Sequence, residues 1–328
     1  VKPKAPGAFC EKCPLQDAPF VPPYGPKHPA FIVVGEGPGR EEVKAGQPFV
    51  GRSGKLLREV LLAADLDPNT GYFTNVVLCH PPDNRKPETE EVSCCAPRLA
   101  KELAAIPEAP ILAVGGAASE SLVGEGVTSA RGAWYDFNGR DVLVTFHPAY
   151  VLREPNMGVD IIKDVKKFTD GRHDWPISLE HPPKWEVLDT PGKMSVLLQH
   201  NRWFVWDFET NQVDWTRNAA LLLGIAFSPT RAYIIPDEML YDCPEAIEIL
   251  NYLFQNNYPI AHNGKFDIMF ARKLGIDKAW VKFDTLLAHY TLDERKYGHG
   301  LKKLLHEYFD LPDYEGNLVQ KHLKSRND

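Results

Sequence analysis

Three short apolar runs rich in β-branched residues, Ala30–Val34, Ile111–Val114 and Val142–Phe146, punctuate the first half of the chain between turn residues. Between them hydrophobic positions recur at helical spacing, over Gly54–Ala64 and Glu90–Leu103. Strands alternating with helices predict an α/β domain, a mainly parallel sheet covered on both faces. The pattern lapses over Trp175–Met194, where Pro176, Pro182, Pro183 and Pro191 fall in a stretch without period. Residues 174–200 are therefore expected to be a linker. A second α/β unit begins at Trp203–Phe208 and continues through Ala219–Ser228, Ala232–Ile235 and Pro259–Ala261. Its spacing predicts a β-meander followed by helices, hence a mixed sheet. The expected domains are 1–173 and 201–328, with no internal repeat.

Composition narrows the class. A chain of 328 residues can bury two ordinary cores, and 44% hydrophobic with 25% charged residues is the balance of a globular protein. No apolar run approaches the ~18 residues of a membrane span. The first residues, Val-Lys-Pro-Lys-Ala-Pro, lack both the apolar core of a signal peptide and an initiator methionine. A processed or trimmed cytoplasmic protein is the expectation. Net charge is −7. Residues 1–173 hold 20 basic against 22 acidic residues, and 174–328 hold 17 against 22. Neither half is a bulk polyelectrolyte binder, so any DNA would be held by a local basic surface on an acidic body.

Candidate chemistry begins right after the first strand, at Gly35-Glu36-Gly37-Pro38-Gly39. A glycine-rich turn at the carboxyl end of a parallel strand puts backbone N–H groups into a cleft, although many α/β proteins keep such a turn for packing. Further along come Pro48-Phe49-Val50-Gly51-Arg52, Thr74-Asn75-Val76-Val77 and His147-Pro148-Ala149-Tyr150. Across residues 8–172 this ordered set resembles the family 4 uracil-DNA glycosylases. The resemblance implies a parallel-sheet α/β/α glycosylase fold that hydrolyses the N-glycosidic bond of a uracil flipped out of DNA.

Such an enzyme must extrude the base, read its edge and stabilise the departing anion. On the resemblance, Phe49 stacks on uracil. Asn75 donates to O4 and accepts from N3–H, a pairing that cytosine would reverse. His147 donates to O2 as negative charge develops there. Glu36 helps to position the attacking water, and Glu42 crowds the 5-position where thymine carries its methyl. Gly37 stands where the family 1 enzymes have an Asp, so no obvious water-activating carboxylate fills that place, and catalysis would rest mainly on leaving-group stabilisation. Leu152 and Arg153 suit an apolar wedge and a phosphate contact; they also suit the start of a helix.

Of the six cysteines, Cys10 and Cys13 form a Cys-x-x-Cys pair, Cys79 follows Asn75 by four residues, and Cys94 and Cys95 are adjacent. Four thiolates at this spacing suit either zinc or an iron–sulfur cluster. The resemblance implies a 4Fe–4S cluster on Cys10, Cys13, Cys79 and Cys95, because Cys95 precedes Ala96-Pro97 as the family ligand precedes Arg-Pro. Cys94 is then a spare thiol and Cys243 an isolated one. The expected role is structural, pinning the N-terminal arm to the loop after Asn75.

A second set starts at Asp207-Phe208-Glu209, where alternation turns both carboxylates to one face of a strand. Two such carboxylates repel unless a cation sits between them. Asn263-Gly264-Lys265-Phe266-Asp267, Phe283-Asp284-Thr285 and Gly300-Leu301-Lys302-Lys303-Leu304 follow. Over residues 200–328 this resembles the DnaQ-like 3′–5′ exonuclease domain of family A DNA polymerases, a ribonuclease H-like fold. The resemblance implies two-metal hydrolysis with Mg²⁺ or Mn²⁺ on Asp207, Glu209 and Asp267. A fourth carboxylate in a Tyr-x-x-x-Asp element is missing from what remains of the chain, and Asp284 belongs to a different segment. A fragment cut before its last exonuclease motif is expected, with exonuclease activity absent or weak. The leading reading is the front of a phage-type DNA polymerase chain that acts on uracil-containing DNA, with the polymerase downstream and no membrane association. Its rivals are a catalytically silent glycosylase-like module that binds DNA or a partner, and a stand-alone repair protein with a vestigial nuclease-like domain.

Overall fold

The computed structural model describes residues 4–172, 183–200, 202–211, 214, 216–295 and 298–311. They form two compact units, one built on residues 4–172 with 306–311 and the other on residues within 183–305.

The first unit is a five-stranded sheet of β1 (Phe31–Gly35), β2 (Gly71–Asn75), β3 (Ile111–Val114), β4 (Trp134–Asp136) and β5 (Asp141–Thr145), in the order β2-β1-β3-β5-β4. Every pairing is parallel except β4 with β5. β1 and β3 are buried along their whole length, as expected of strands covered on both faces. The covering helices are α1 (Arg40–Ala45), α2 (Arg52–Ala63), α3 (Thr89–Ala104), α4 (Gly116–Val123), α5 (Val127–Ala130), α6 (Pro148–Arg153) and α7 (Gly158–Asp170). One core layer joins Phe31, Leu57, Leu61, Phe73, Leu143 and Val165. The other joins Ile32, Val34, Leu99, Leu103, Ile111 and Val144. In α3, Glu91, Cys94, Cys95, Arg98, Leu99 and Leu103 are buried at i, i+3, i+4 spacing. Its first turn is fixed by the Glu91 carboxylate, which accepts from the Glu88 N–H at 2.8 Å.

The second unit is a mixed six-stranded sheet in the order β11-β10-β7-β8-β9-β6. Its strands are β6 (Lys184–Val187), β7 (Trp203–Thr210), β8 (Ala220–Ser228), β9 (Arg231–Pro236), β10 (Tyr258–Ala261) and β11 (Phe283–Asp284). β7, β8 and β9 form the antiparallel meander, and β10 lies parallel to β7. Helices α8 (Pro191–Met194), α9 (Asp237–Tyr241), α10 (Pro244–Asn256), α11 (Gly264–Lys273), α12 (Thr285–Leu292) and α13 (Leu301–Phe309) complete the elements.

The expected linker is corrected here. From residue 184 onward the stretch is part of the second unit: β6 pairs in parallel with β9, and Leu188, Met194 and Leu197 are fully buried in its core. Proline misled because Pro191 occupies the first turn of α8, where a missing N–H costs nothing. Residues 173–182 lie outside the described ones, as do 312–328, on which the expected C-terminal truncation bears. Among the described residues no helix is long and apolar enough to cross a membrane.

Candidate active site

The parallel strands of the first sheet all end at one side, and the residues just beyond them enclose a pocket of about 360 Å³. That volume falls within the range of small-ligand sites, and its place at the carboxyl ends of the strands is where α/β sheets bind ligands. Glu36 and Gly37 follow β1, Asn75 ends β2, and His147 follows β5; Glu42, Phe49 and Arg153 complete the set. Seven expected residues are therefore in one place. The eighth, Leu152, stands outside the pocket on α6, 42% exposed.

Phe49 has a left-handed backbone, with φ 55°, which is costly for an aromatic residue. Its surroundings hold it there. The Glu42 carboxylate accepts from Val50 N–H at 3.0 Å and Gly51 N–H at 2.7 Å with one oxygen, and from Gly39 N–H at 3.1 Å with the other. Arg58 Nε donates to the Phe49 carbonyl at 3.2 Å. Gly54 is obligatory, since a Cβ there would lie 2.2 Å from the Phe49 carbonyl carbon. The ring packs on Phe73 at 5.7 Å between centroids and lines the pocket with its remaining surface. Glu42 thus lines the pocket while both its oxygens are committed to backbone. Besides the place against the 5-position that the resemblance implies for it, Glu42 has a loop to hold.

Asn75 is only 4% exposed, yet its side-chain amide makes no hydrogen bond among the described residues. The amide lines the pocket, so both its donor and its acceptor are open to an occupant. Gly35 makes this possible: a Cβ there would meet Asn75 Oδ1 and Phe49 Cζ, both at 2.5 Å.

His147 caps α6, its Nδ1 accepting from Ala149 N–H at 3.1 Å. That bond leaves the proton on Nε2, which faces no protein partner among the described residues. Burial first, then the positive charge of Arg153, hold its pKa down to about 4. The imidazole is a neutral donor. Gly115, at φ 91°, gives it room, since a Cβ would lie 2.9 Å from His147 Cβ. Burial also raises the Glu36 carboxyl above its usual range, against the pull of Lys86.

Other residues at this site went unread in the sequence, His80 and Tyr150 among them. His80 Nδ1 lies 2.8 Å from the Pro38 carbonyl and steadies the glycine turn. Tyr150 lines the pocket from α6. The His-Pro-Ala-Tyr motif held the signal for Tyr150, but nothing local marked His80.

Beside the pocket, Cys10, Cys13, Cys79, Cys94 and Cys95 line one small apolar cavity. Phe9 N–H donates to the Cys94 carbonyl at 2.9 Å, tying the N-terminal arm to α3. Burial raises the Cys79 thiol and pushes Cys13 up to about 11. Five soft donors around one enclosed space are chemically suited to iron–sulfur ligation. Among the described residues, no three His, Cys, Asp or Glu side chains converge as a metal site, here or in the second unit.

In the second unit, Phe204, Trp206 and Phe208 point into the core while Asp207 and Glu209 lie on the opposite face of β7. Asp267, on α11, is buried and accepts from Phe208 N–H at 3.0 Å. Loss of hydration, then the Glu209 charge, raises Asp207 to about 6. Burial raises Asp267 to about 7; the Phe208 hydrogen bond opposes this and the Asp207 charge adds to it. Carboxylates raised by burial and mutual repulsion are what a bound cation would relieve. Asp284 instead accepts from the N–H groups of Asn263, Gly264, Leu286 and Leu287, a structural cap.

Comparison with known proteins places two families on the two units. The model of the uracil DNA glycosylase superfamily matches residues 22–170, and that of a 3′–5′ exonuclease of DNA polymerase A matches 189–326. The chain is 35% identical over 176 residues to a type-4 uracil-DNA glycosylase of Pyrobaculum aerophilum, covering 49% of this chain and 89% of that protein. It is 37% identical over 166 residues to the type-4 enzyme of Thermotoga maritima, covering 48% and 86%. A DNA polymerase of Bacillus phage SP01 is 29% identical over 144 residues, covering 43% of this chain and 16% of the polymerase.

Proposed function

Since the chain belongs, through its first domain, to the type-4 uracil-DNA glycosylases, we propose that this domain excises uracil by reading the base with Asn75 and stabilising its anion with His147. Uracil excision is joined in one chain to a polymerase-type 3′–5′ exonuclease domain. The observation that carries the residue roles is the pairing of a pocket-facing Asn75 amide, with no hydrogen bond among the described residues, and a neutral His147 whose Nε2–H is open to the same pocket.

Uracil enters on the free surface of Phe49. The Asn75 amide donates to O4 and accepts from N3–H. As the glycosidic bond lengthens, electron density flows into the ring, and the Nε2–H of His147 donates to O2. A neutral imidazole with a fixed tautomer needs no reorganisation at that moment. Glu36, beside the glycine turn, helps to orient the water that adds to the sugar carbon, and the proton that water gives up ends on the departing uracil anion, leaving free uracil and an abasic sugar. Arg153 contacts a phosphate, and Leu152, exposed on the same helix, wedges into the stack left by the flipped base.

The family is an iron–sulfur one, and Cys10, Cys13, Cys79 and Cys95 are the residues that would hold a 4Fe–4S cluster, with Cys94 beside them. Bound there, it supplies cross-linking rather than redox chemistry. In the second domain Asp207, Glu209 and Asp267 would hold Mg²⁺ or Mn²⁺, whose chemistry when bound is to activate water and stabilise the leaving 3′ oxygen. The glycosylase domain spans about 1–173, and the second begins near 184. The match to a phage polymerase supports a polymerase segment downstream and action on DNA near a replication fork, where tethering raises the local concentration of the glycosylase.

An end-labelled strand carrying one uracil, treated with the protein and then with alkali, should break at that position alone. No break from protein of full iron content would overturn excision and leave a DNA-binding module in its place.

A further inference from the structure

The residue that joins the cysteine-bearing helix to the uracil pocket is Arg98, a side chain that touches neither base nor metal. It is 2% exposed and lies on α3, one helical turn beyond Cys94 and Cys95. Its Nη2 donates to the carbonyl of Asn75 at 2.7 Å and to that of Val76 at 2.8 Å. Its Nη1 donates to Thr74 Oγ1 at 3.2 Å and to Glu102 Oε2 at 2.9 Å. One planar guanidinium therefore grips three successive residues at the end of β2, the middle one being Asn75. Glu102, one turn further along α3, balances the charge and aims the fork. On the other side of the same segment, Val76 N–H donates to the Gly35 carbonyl at 2.9 Å and Val77 N–H to that of Glu36 at 3.2 Å. The backbone under Asn75 is thus held between the glycine turn and α3.

We infer that Arg98 is a positioning residue for uracil recognition, setting the depth and angle of the Asn75 amide through its main chain. This rests on Asn75 reading the base. A buried amide that must match two atoms of one base edge tolerates little displacement, and β2 lies at the edge of its sheet, with β1 as its ladder neighbour. Lysine can bring one nitrogen to the two carbonyls, but it has no second nitrogen to hold Thr74 Oγ1 and Glu102 at the same time.

A double-mutant cycle separates positioning from general stability. Single-turnover uracil release at varied protein concentration is measured for the unaltered chain, Arg98→Gln, Arg98→Lys, Asn75→Ala and the two Arg98 variants combined with Asn75→Ala. Iron content and visible absorbance are recorded for each. Arg98→Gln should lower the apparent second-order rate by roughly tenfold or more, with Arg98→Lys intermediate and iron content unchanged. In the Asn75→Ala background the same changes should cost less than about threefold, because the side chain they position is gone. Equal losses in both backgrounds, or losses that track iron content, would overturn the inference. If Arg98→Gln does not retain iron, the Arg98→Lys arm completes the cycle. An unaltered protein that releases no uracil would instead sink the excision reading itself.

Discussion

Glu42 lines the pocket and at the same time holds the loop that carries Phe49. Its two oxygens take three backbone N–H groups and hold the loop that keeps Phe49 at φ 55°. Glu42→Gln turns an acceptor into a donor facing one of those N–H groups. It should cost about 1–3 kcal/mol in denaturant unfolding of the first unit and weaken uracil release with it. A variant that kept full stability and lost only discrimination against thymine would favour the steric role. His147 makes a sharper statement about pH. Its folded pKa, about 4, lies below its ordinary value of 6.5, so between those values the unfolded chain binds a proton that the folded chain refuses. The stability His147 contributes is complete above pH about 6.5 and drains away as pH falls toward about 4. Its ionisation should leave no inflection near 6.5 in the rate of uracil release. His147→Asn keeps a good helix cap but loses the Nε2 donor. It should lower that rate by about 10²–10³-fold, flatten the acid limb of stability, and leave stability at pH 7 little changed.

At the scale of elements, the pocket depends on strands ending together and on residues small enough to let side chains meet. Gly35, the last residue of β1, sits between Asn75 and Phe49 with no room for a methyl group. Gly35→Ala should therefore cut uracil release by at least tenfold, comparably to a direct change at Asn75, although the glycine touches no substrate. Normal release from this variant would show that the two side chains can part without loss. α3 has a matching role, since one buried face carries two cavity cysteines, Arg98 and the core leucines Leu99 and Leu103.

Across the whole molecule, two chemistries lie in two separately built units. The uracil pocket is lined entirely by the first, and Asp207, Glu209 and Asp267 all lie in the second. Asn75→Ala should lower uracil release strongly, to a rate still measurable in single turnover, and leave any Mg²⁺-dependent release of 3′ nucleotides unchanged, while Asp207→Asn should suppress nucleotide release and leave uracil release unchanged. Loss of both activities in either variant would mean that the units do not act independently. The separation was readable in the chain as a change from strand–helix alternation to a meander, and the end of the first unit was read at 173, but the start of the second was placed too late. The four residues of β6 carry no strong strand signal, and they form a strand because β9 offers an open edge and the core takes up Leu188 next to it.

Pattern along the chain was enough for the two fold classes, for seven of the eight residues expected around the first pocket and for the cysteines around the neighbouring cavity. Hydrophobic periodicity fixes which faces are buried, and short motifs at strand ends fix which side chains share an edge of the sheet. Tertiary structure decided what those side chains are bonded to. That Glu42 is a staple, that His147 is neutral with its proton on Nε2, and that Arg98 grips the backbone of Asn75 all depend on hydrogen bonds between segments far apart in the chain. Local pattern holds no record of such bonds, because burial and the meeting of distant backbone groups arise only once the sheet has closed on its helices.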